Sequence, residues 1–303
     1  MSSRSSRASA AVNVPPVITG LGAVIDRYDA FILDLWGCVH DGLHPYPDAP
    51  DALKRLKAAG KRVLLLSNAP RRAQTVREHL AQHFGIGSEL YDDVLTSGET
   101  AYQALMRRDD PAHAALGKKV LYFGPARDLS MVEGNGLVRV DDVEQADFMF
   151  STGVEDDLIG VGPHEADLRI AAERGLALIC ANPDLEVMRG EERLVCAGAL
   201  AQRYEELGGS VIYHGKPHAV TYRAAFRLLG NPEPARVLGV GDGMRTDVAG
   251  AANAGIHGAF IPGGIHAEEL GIRMGEAPAP QATSALLAQF DAAPTYILPA
   301  LRW

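Results

Sequence analysis

The chain has 303 residues, 47% of them hydrophobic and 22% charged, with a formal net charge of −9. That length suits two domains, or one domain with a large insertion, and a core that needs no disulfide or metal staple. The acidic balance argues against nucleic acid or an anionic membrane surface as partner, since both call for a basic footprint. Cys38, Cys180 and Cys196 are far apart and form no C-x-x-C pair. This suits a reducing cytoplasm, where buried cysteines serve as small hydrophobes, and argues against a structural zinc site. No apolar run reaches the roughly 18–20 residues of a membrane helix. Residues 1–11 are rich in Ser, Arg and Ala, with no acid and no apolar signal core, so residues 1–14 are expected to form a short disordered tail.

From there, apolar runs alternate with amphipathic stretches. Residues 30–36 (AFILDLW) read as a buried strand interrupted by one acid, and 48–59 as a helix stopped by Gly60. A second strand at 62–66 (RVLLL) is followed by Pro70, a good first helical position. The next helix should turn Val76, Leu80 and Phe84 inward. A strand at 94–95, a helix near 99–107, and strands at Lys119–Phe123 and 147–150 continue the rhythm. A helix at 163–173, a strand at Ala177–Cys180, a helix at 196–207 and a strand at 211–213 come next. Then follow a helix at 219–229, a strong strand at 236–240, a small-residue helix at 247–254 and a last strand at 258–261. Residues 271–282, rich in Pro, Gly and Ala, read as a loop. The pattern is α/β: a mostly parallel sheet with helices on both faces.

Four stretches carry chemistry. Asp34 lies within an apolar run, where a carboxylate is costly without a partner or a metal, and the chain then leaves the strand into a loop. A strand-ending turn cap would explain it as well. Ser67-Asn68 offers a hydroxyl and free amides before a helix; this suits an anion pocket or a plain helix cap. Lys216 follows a short apolar strand, where a lone lysine is ordinarily just solvated. Asp242 and Asp247, in Gly241-Asp242-Gly243-Met244-Arg245-Thr246-Asp247, would form a hard oxygen site for Mg²⁺ together with Asp34 on a neighbouring strand. A dinucleotide fingerprint fails there, because Met244 stands where its third glycine belongs.

The order acid, hydroxyl, lysine and Gly-Asp-x-x-x-x-Asp, each after a strand, resembles the haloacid dehalogenase (HAD) superfamily. The 149 residues from Ser67 to Lys216 exceed a single crossover. They imply an inserted α/β cap, as in the NagD-like branch of sugar and nitrophenyl phosphatases. Ala181-Asn182-Pro183-Asp184 and Ala197-Gly198-Ala199-Leu200 resemble that branch's cap signature.

The resemblance implies a Rossmann-like core over 15–90 and 210–303 and a cap over 91–209. It implies a Mg²⁺-dependent phosphatase of a small phosphorylated metabolite, cytoplasmic, with Asp34 as nucleophile through an aspartyl-phosphate. Ser67, the Asn68 amide and Lys216 would neutralise the phosphoryl oxygens. Asp34, Asp242 and the Trp36 carbonyl would hold the metal, with Asp247 a further ligand or an anchor behind them. Asn182 and Asp184 would face the substrate, or form only an Asx-Pro turn. Arg71 and Arg72 could meet a second anionic group, or be solvated first-turn residues. His214 and His218 read as loop residues around Lys216. Caps of this branch often take part in dimer contacts, so a homodimer is compatible with the resemblance.

One residue departs from the pattern. The superfamily places an acid/base Asp two positions after the nucleophile, and this chain has Trp36. His40 or Asp41 would be the nearby substitutes. Two other outcomes remain open: a non-catalytic member that binds a phosphorylated ligand, and an enzyme confined to activated esters such as acyl phosphates, which need no leaving-group acid.

Overall fold

The computed structural model describes residues 14–155 and 159–303; residues 1–13, which hold nearly all of the expected N-terminal tail, lie outside them. In chain order the first strands and helices are β1 (Ala30–Leu33), α1 (Ala49–Ala58), β2 (Arg62–Ser67), α2 (Ala73–Phe84) and β3 (Asp93–Thr96). Then come α3 (Ser97–Arg107), α4 (Pro111–Ala114), β4 (Lys119–Phe123), β5 (Val138–Val140), β6 (Phe148–Ser151), α5 (Glu165–Arg174) and β7 (Ala177–Cys180). The hairpin β8 (Glu186–Arg189) and β9 (Glu192–Val195) follows, then α6 (Ala197–Glu206) and β10 (Ser210–Tyr213). The chain ends with α7 (Ala219–Leu228), β11 (Val237–Gly241), α8 (Ala249–Asn253), β12 (His257–Phe260), α9 (Ala267–Leu270), α10 (Pro280–Leu287) and β13 (Tyr296–Ile297).

Two parallel sheets result. The larger runs β13-β12-β11-β1-β2-β3 and the smaller β10-β7-β6-β4-β5. Period-two alternation explains why both faces are dry. Phe31, Leu33, Val63 and Leu65 point to one side of the larger sheet, onto Leu53 and Leu56 of α1 and Leu80 and Phe84 of α2. Ala30, Ile32, Leu64 and Leu66 point to the other, onto Tyr222 and Ala225 of α7 and Ala251 of α8. The smaller sheet repeats the design. Met149 and Leu178 meet Leu168 of α5 and Leu200 and Tyr204 of α6, while Phe148 and Ile179 meet Ala101 and Leu105 of α3.

The partition between the sheets differs by one strand at each end from the division expected at 90/91 and 209/210. β3, expected in the cap, pairs with β2, and β10, expected in the core, pairs with β7. A short apolar strand carries the same pattern in either sheet, so only its pairing partner decides where it belongs. The chain crosses between the two units beside Ser97 and beside His214, and the Ser97 hydroxyl donates to the His214 carbonyl.

Two local expectations are also corrected. Pro70 does not open α2, which starts at Ala73 with Arg72 as its cap. Residues 271–282 are not wholly loop, because α10 begins at Pro280, a proline at the first helical position.

Candidate active site

β1 and β11 lie side by side in register, Leu33 opposite Val240, so the residues that follow them emerge together. Asp34 leaves β1 with its amide still bonded to the Val240 carbonyl (2.9 Å). Its Oδ1 accepts from the Leu35 amide (2.7 Å) and lies 2.6 Å from Lys216 Nζ. The same ammonium donates to Asp247 Oδ1 at 2.8 Å. Asp34, Lys216 and Asp247 are all buried. The second Asp247 oxygen accepts from the Gly243 amide and the Thr246 hydroxyl, both 3.2 Å. Both oxygens of Asp247 are therefore engaged within the protein, one of them by Lys216. A single wide turn over Met244–Val248 carries that aspartate back beneath the sheet edge.

Lys216 reaches the core sheet from the loop after β10, and Asn68 fixes it there. Asn68 Oδ1 accepts from the Lys216 amide (2.7 Å), and its Nδ2 donates to the Lys216 carbonyl (3.1 Å) and to Asp184 Oδ1 (2.8 Å). One side chain thus ties the end of β2, the lysine loop and the cap. Ser67, the last residue of β2, is buried and accepts from the Ala69 amide (3.1 Å). Its hydroxyl opens on the same cleft as Asp34 and Lys216.

Asp242 follows β11. Its Oδ2 accepts from the Ile265 amide at 2.7 Å. Gly37 and Gly264 allow that approach: a Cβ at either would lie 2.0 Å from Oδ2, and Gly37 has φ +79°. Oxygens of Asp34 and Asp242 and the sulfur of Cys38 lie within 4.8 Å of one another. Cys38 also packs into the main core, and burial pushes its thiol well above the usual range.

Charge in this centre is unbalanced. Burial, and then the neighbouring Asp247, hold Asp34 well above the ordinary carboxylate range, with Lys216 opposing. The same two causes push Asp242 up to about 7. Burial works against the Lys216 ammonium, but Asp247, Asp34 and Asp184 outweigh it and hold the lysine well above its ordinary value. The buried carboxylates of Asp34, Asp242 and Asp247 thus surround the buried Lys216 ammonium.

Trp36, two residues after Asp34, is half-buried and lines the cleft. Its indole N–H donates to the Met188 carbonyl of β8. The two nearby substitutes for a missing acid are engaged elsewhere. His40 is buried between Trp36 and Phe84 (ring centroids 5.4 and 4.6 Å), and its Nδ1 accepts from the Gly42 amide. Burial, then His79, push it down to about 4. Asp41 caps its own turn through the Leu43 and His44 amides (2.8 and 2.6 Å).

The cleft between the two sheet units has a volume of about 1010 Å³. Asn182 and Asp184 both line it, yet Asn182 Oδ1 accepts from the Asp184 amide at 3.1 Å, so the Asx turn also forms. Neither arginine of the first turn is simply solvated. Arg71 pairs with the buried Asp128 at 3.0 Å, and Arg72 with Glu99 at 2.7 Å. His218 lines the cleft, stacked on Tyr213 (centroids 4.9 Å, planes 7° apart). His214 is buried, its Nε2 3.1 Å from that of His113. Sequence reasoning missed the β8–β9 hairpin, which roofs this cleft. Its signal was Gly190 between two short alternating stretches, masked by their charge.

A parallel sheet with an aspartate–lysine–aspartate centre at its carboxyl edge, roofed by a second parallel-sheet unit, defines a capped α/β enzyme. Two family models described as haloacid dehalogenase-like hydrolase match residues 31–138 and 168–255, and one described as HAD-hydrolase-like matches 213–302. A solved hydrolase of the haloacid dehalogenase-like family from Brucella suis 1330 is 32% identical, covering 94% of this chain and 100% of its own, with a TM-score of 0.80. The ribonucleotide monophosphatase NagD of Escherichia coli K12 is 28% identical over 246 residues, 77% of this chain and 87% of its own. The 5'-nucleotidase YutF of Bacillus subtilis is 24% identical over 247 residues, 80% of this chain and 90% of its own. The chain belongs to the HAD superfamily of hydrolases, in the NagD-like branch, and is a phosphatase-type member.

Proposed function

We propose that the chain hydrolyses a small phosphorylated metabolite with Mg²⁺, through an aspartyl-phosphate on Asp34. The carrying observation is Lys216 Nζ between Asp34 Oδ1 (2.6 Å) and Asp247 Oδ1 (2.8 Å), beside Asp242 at the carboxyl edge of the sheet. A hard divalent cation fits the donors present. Asp34 and Asp242 offer close carboxylate oxygens, and both are displaced upward, by burial first and then by the neighbouring Asp247. Asp34, Asp242 and the Trp36 backbone carbonyl would hold it, with Asp247 behind them fixing Lys216. When bound, Mg²⁺ supplies charge that offsets the carboxylates and the phosphoryl oxygens.

The second oxygen of Asp34, Oδ2, attacks phosphorus. The bond to the leaving oxygen breaks and its electron pair departs with that oxygen. The Lys216 ammonium, the Ser67 hydroxyl and the Asn68 amide steady the phosphoryl oxygens. Water then attacks phosphorus and breaks the bond to Oδ2, which restores the carboxylate; both of the water's hydrogens leave with inorganic phosphate, as dihydrogen phosphate. Splitting one displacement into two lowers each barrier.

The leaving group narrows the substrate. The Trp36 N–H is committed to Met188, His40 is neutral in the core, and Asp41 caps a turn. The favoured substrates are therefore those whose leaving group departs without a proton: aryl or acyl phosphates ahead of alkyl esters. General acid help is worth roughly 10²–10⁴-fold. A series of phosphoesters of rising leaving-group basicity, assayed with Mg²⁺, should show a steep fall in kcat/KM. A flat series would contradict this narrowing, and no Mg²⁺-dependent turnover of any ester would contradict the phosphatase reading.

A further inference from the structure

The side chain at the acid's position reaches across to the other domain. Trp36 donates from Nε1 to the Met188 carbonyl, on β8 of the β8–β9 hairpin. At the hairpin turn the Gly190 amide donates to the Asp41 carbonyl at 3.1 Å, and Gly190 sits against Leu43: a Cβ there would lie 2.9 Å from Leu43 Cδ1. From β9, Arg193 reaches Glu268 of α9 on the opposite bank at 3.3 Å. The hairpin therefore spans the mouth of the cleft, resting on the nucleophile loop at one end.

The indole is held from beneath as well. It lies on Gly42, where a Cβ would come within 2.3 Å of Cζ2, and that residue has φ +89°. Its edge meets His40, which packs on Phe84 of the main core. A rigid column thus runs from Phe84 through His40 and Trp36 to the Met188 carbonyl.

We infer that Trp36 is a latch: a positioning residue that locks the cap hairpin over the cleft and couples cap docking to the nucleophile loop two residues from Asp34. The inference rests on the phosphatase reading for its kinetic consequence, not for its geometry. A closed hairpin retains the substrate, so losing the latch should act mainly on KM. Trp36→Phe keeps a ring on His40 but removes the donor. One hydrogen bond is worth about 0.5–1.5 kcal/mol net, which is about 2- to 12-fold in an equilibrium.

The chain has two tryptophans, Trp36 and Trp303, and Trp303 packs beside Gly22, away from the cleft. In a Trp303→Phe background, Trp36 fluorescence reads the latch with no turnover needed. Removing the hairpin's side-chain grips with Leu43→Ala and Arg193→Ala should raise acrylamide quenching of Trp36 by about 2-fold or more in folded protein, with the fold checked by circular dichroism. Trp36→Phe in the wild-type background should raise KM for p-nitrophenyl phosphate by about 2- to 12-fold and change kcat less. Quenching that ignores the hairpin substitutions overturns the latch. So does a Trp36→Phe enzyme with unaltered KM. If hairpin-dependent quenching appears in a protein that turns over no phosphoester, the latch stands and the phosphatase reading fails.

Discussion

At the scale of single residues, position 36 decides most. A HAD hydrolase ordinarily has a carboxyl group there, and this chain has spent the position on a contact between domains. Trp36→Asp returns a carboxyl group two residues after the nucleophile and breaks the bond to Met188 in the same stroke. Absolute rates therefore mix a gain with a loss, while their ratio separates them. The ratio of kcat/KM for an alkyl phosphate to that for p-nitrophenyl phosphate should rise by up to about 10²-fold, because only the alkyl alkoxide needs a proton. An unchanged ratio in a folded variant would mean that the missing acid does not limit this site. The departure from Asp was visible in the sequence, but the destination of the indole was not. Met188 is 152 residues away and contributes only a backbone carbonyl, which no residue type announces.

At the scale of elements, legibility followed burial. Strands β1, β2, β4, β7 and β11 are built on uninterrupted runs of apolar or small residues, and the expected bounds differ from the observed by a few residues at most. The elements missed had no such run. β5 is mostly exposed, β13 is two residues long, and the β8–β9 hairpin is half charged. That hairpin is stabilised by what it covers rather than by its own pattern. The motif residues were legible because each ends or follows a strand, where an open α/β sheet presents its ligands. Their clamping by Asn68 was not legible, since a helix cap uses the same residue types.

The β10–α7 crossing holds a titrating element. His214 is buried, its Nδ1 has no hydrogen-bond partner among the described residues, its Nε2 faces His113, and Asp110 lies behind His113. Burial, then His113, push His214 down to about 3, with Asp110 opposing and His218 adding slightly. An unfolded histidine titrates near about 6.5. The unfolded chain therefore binds the proton first as pH falls. The stabilisation is fully present above about pH 6.5 and is lost progressively as pH falls from there toward 3. At pH 5 the loss from this group is about 2 kcal/mol. His214→Leu, which cannot titrate, should show a shallower fall of Tm between pH 7 and pH 5 than the wild type. Parallel Tm profiles would show that His214 is not buried neutral.

At the scale of the whole molecule, two parallel-sheet units of similar design meet at one functional edge. The larger carries Asp34, Asp242 and Asp247; the smaller supplies the roof and, through β10, delivers Lys216. Sequence spacing implied an inserted unit, but it did not assign β3 and β10 to their sheets, because the two look alike until their partners are known. Contacts between the two units, among them Asn68–Asp184, Arg71–Asp128 and Trp36–Met188, are spread around one cleft. The most direct measurement maps the covalent adduct: wild-type protein turning over p-nitrophenyl phosphate with Mg²⁺ is quenched in acid, and its peptides are analysed by mass spectrometry. The account predicts a phosphoryl adduct on the peptide carrying Asp34, absent from Asp34→Asn. An adduct on another residue, or undiminished turnover by Asp34→Asn, would contradict it.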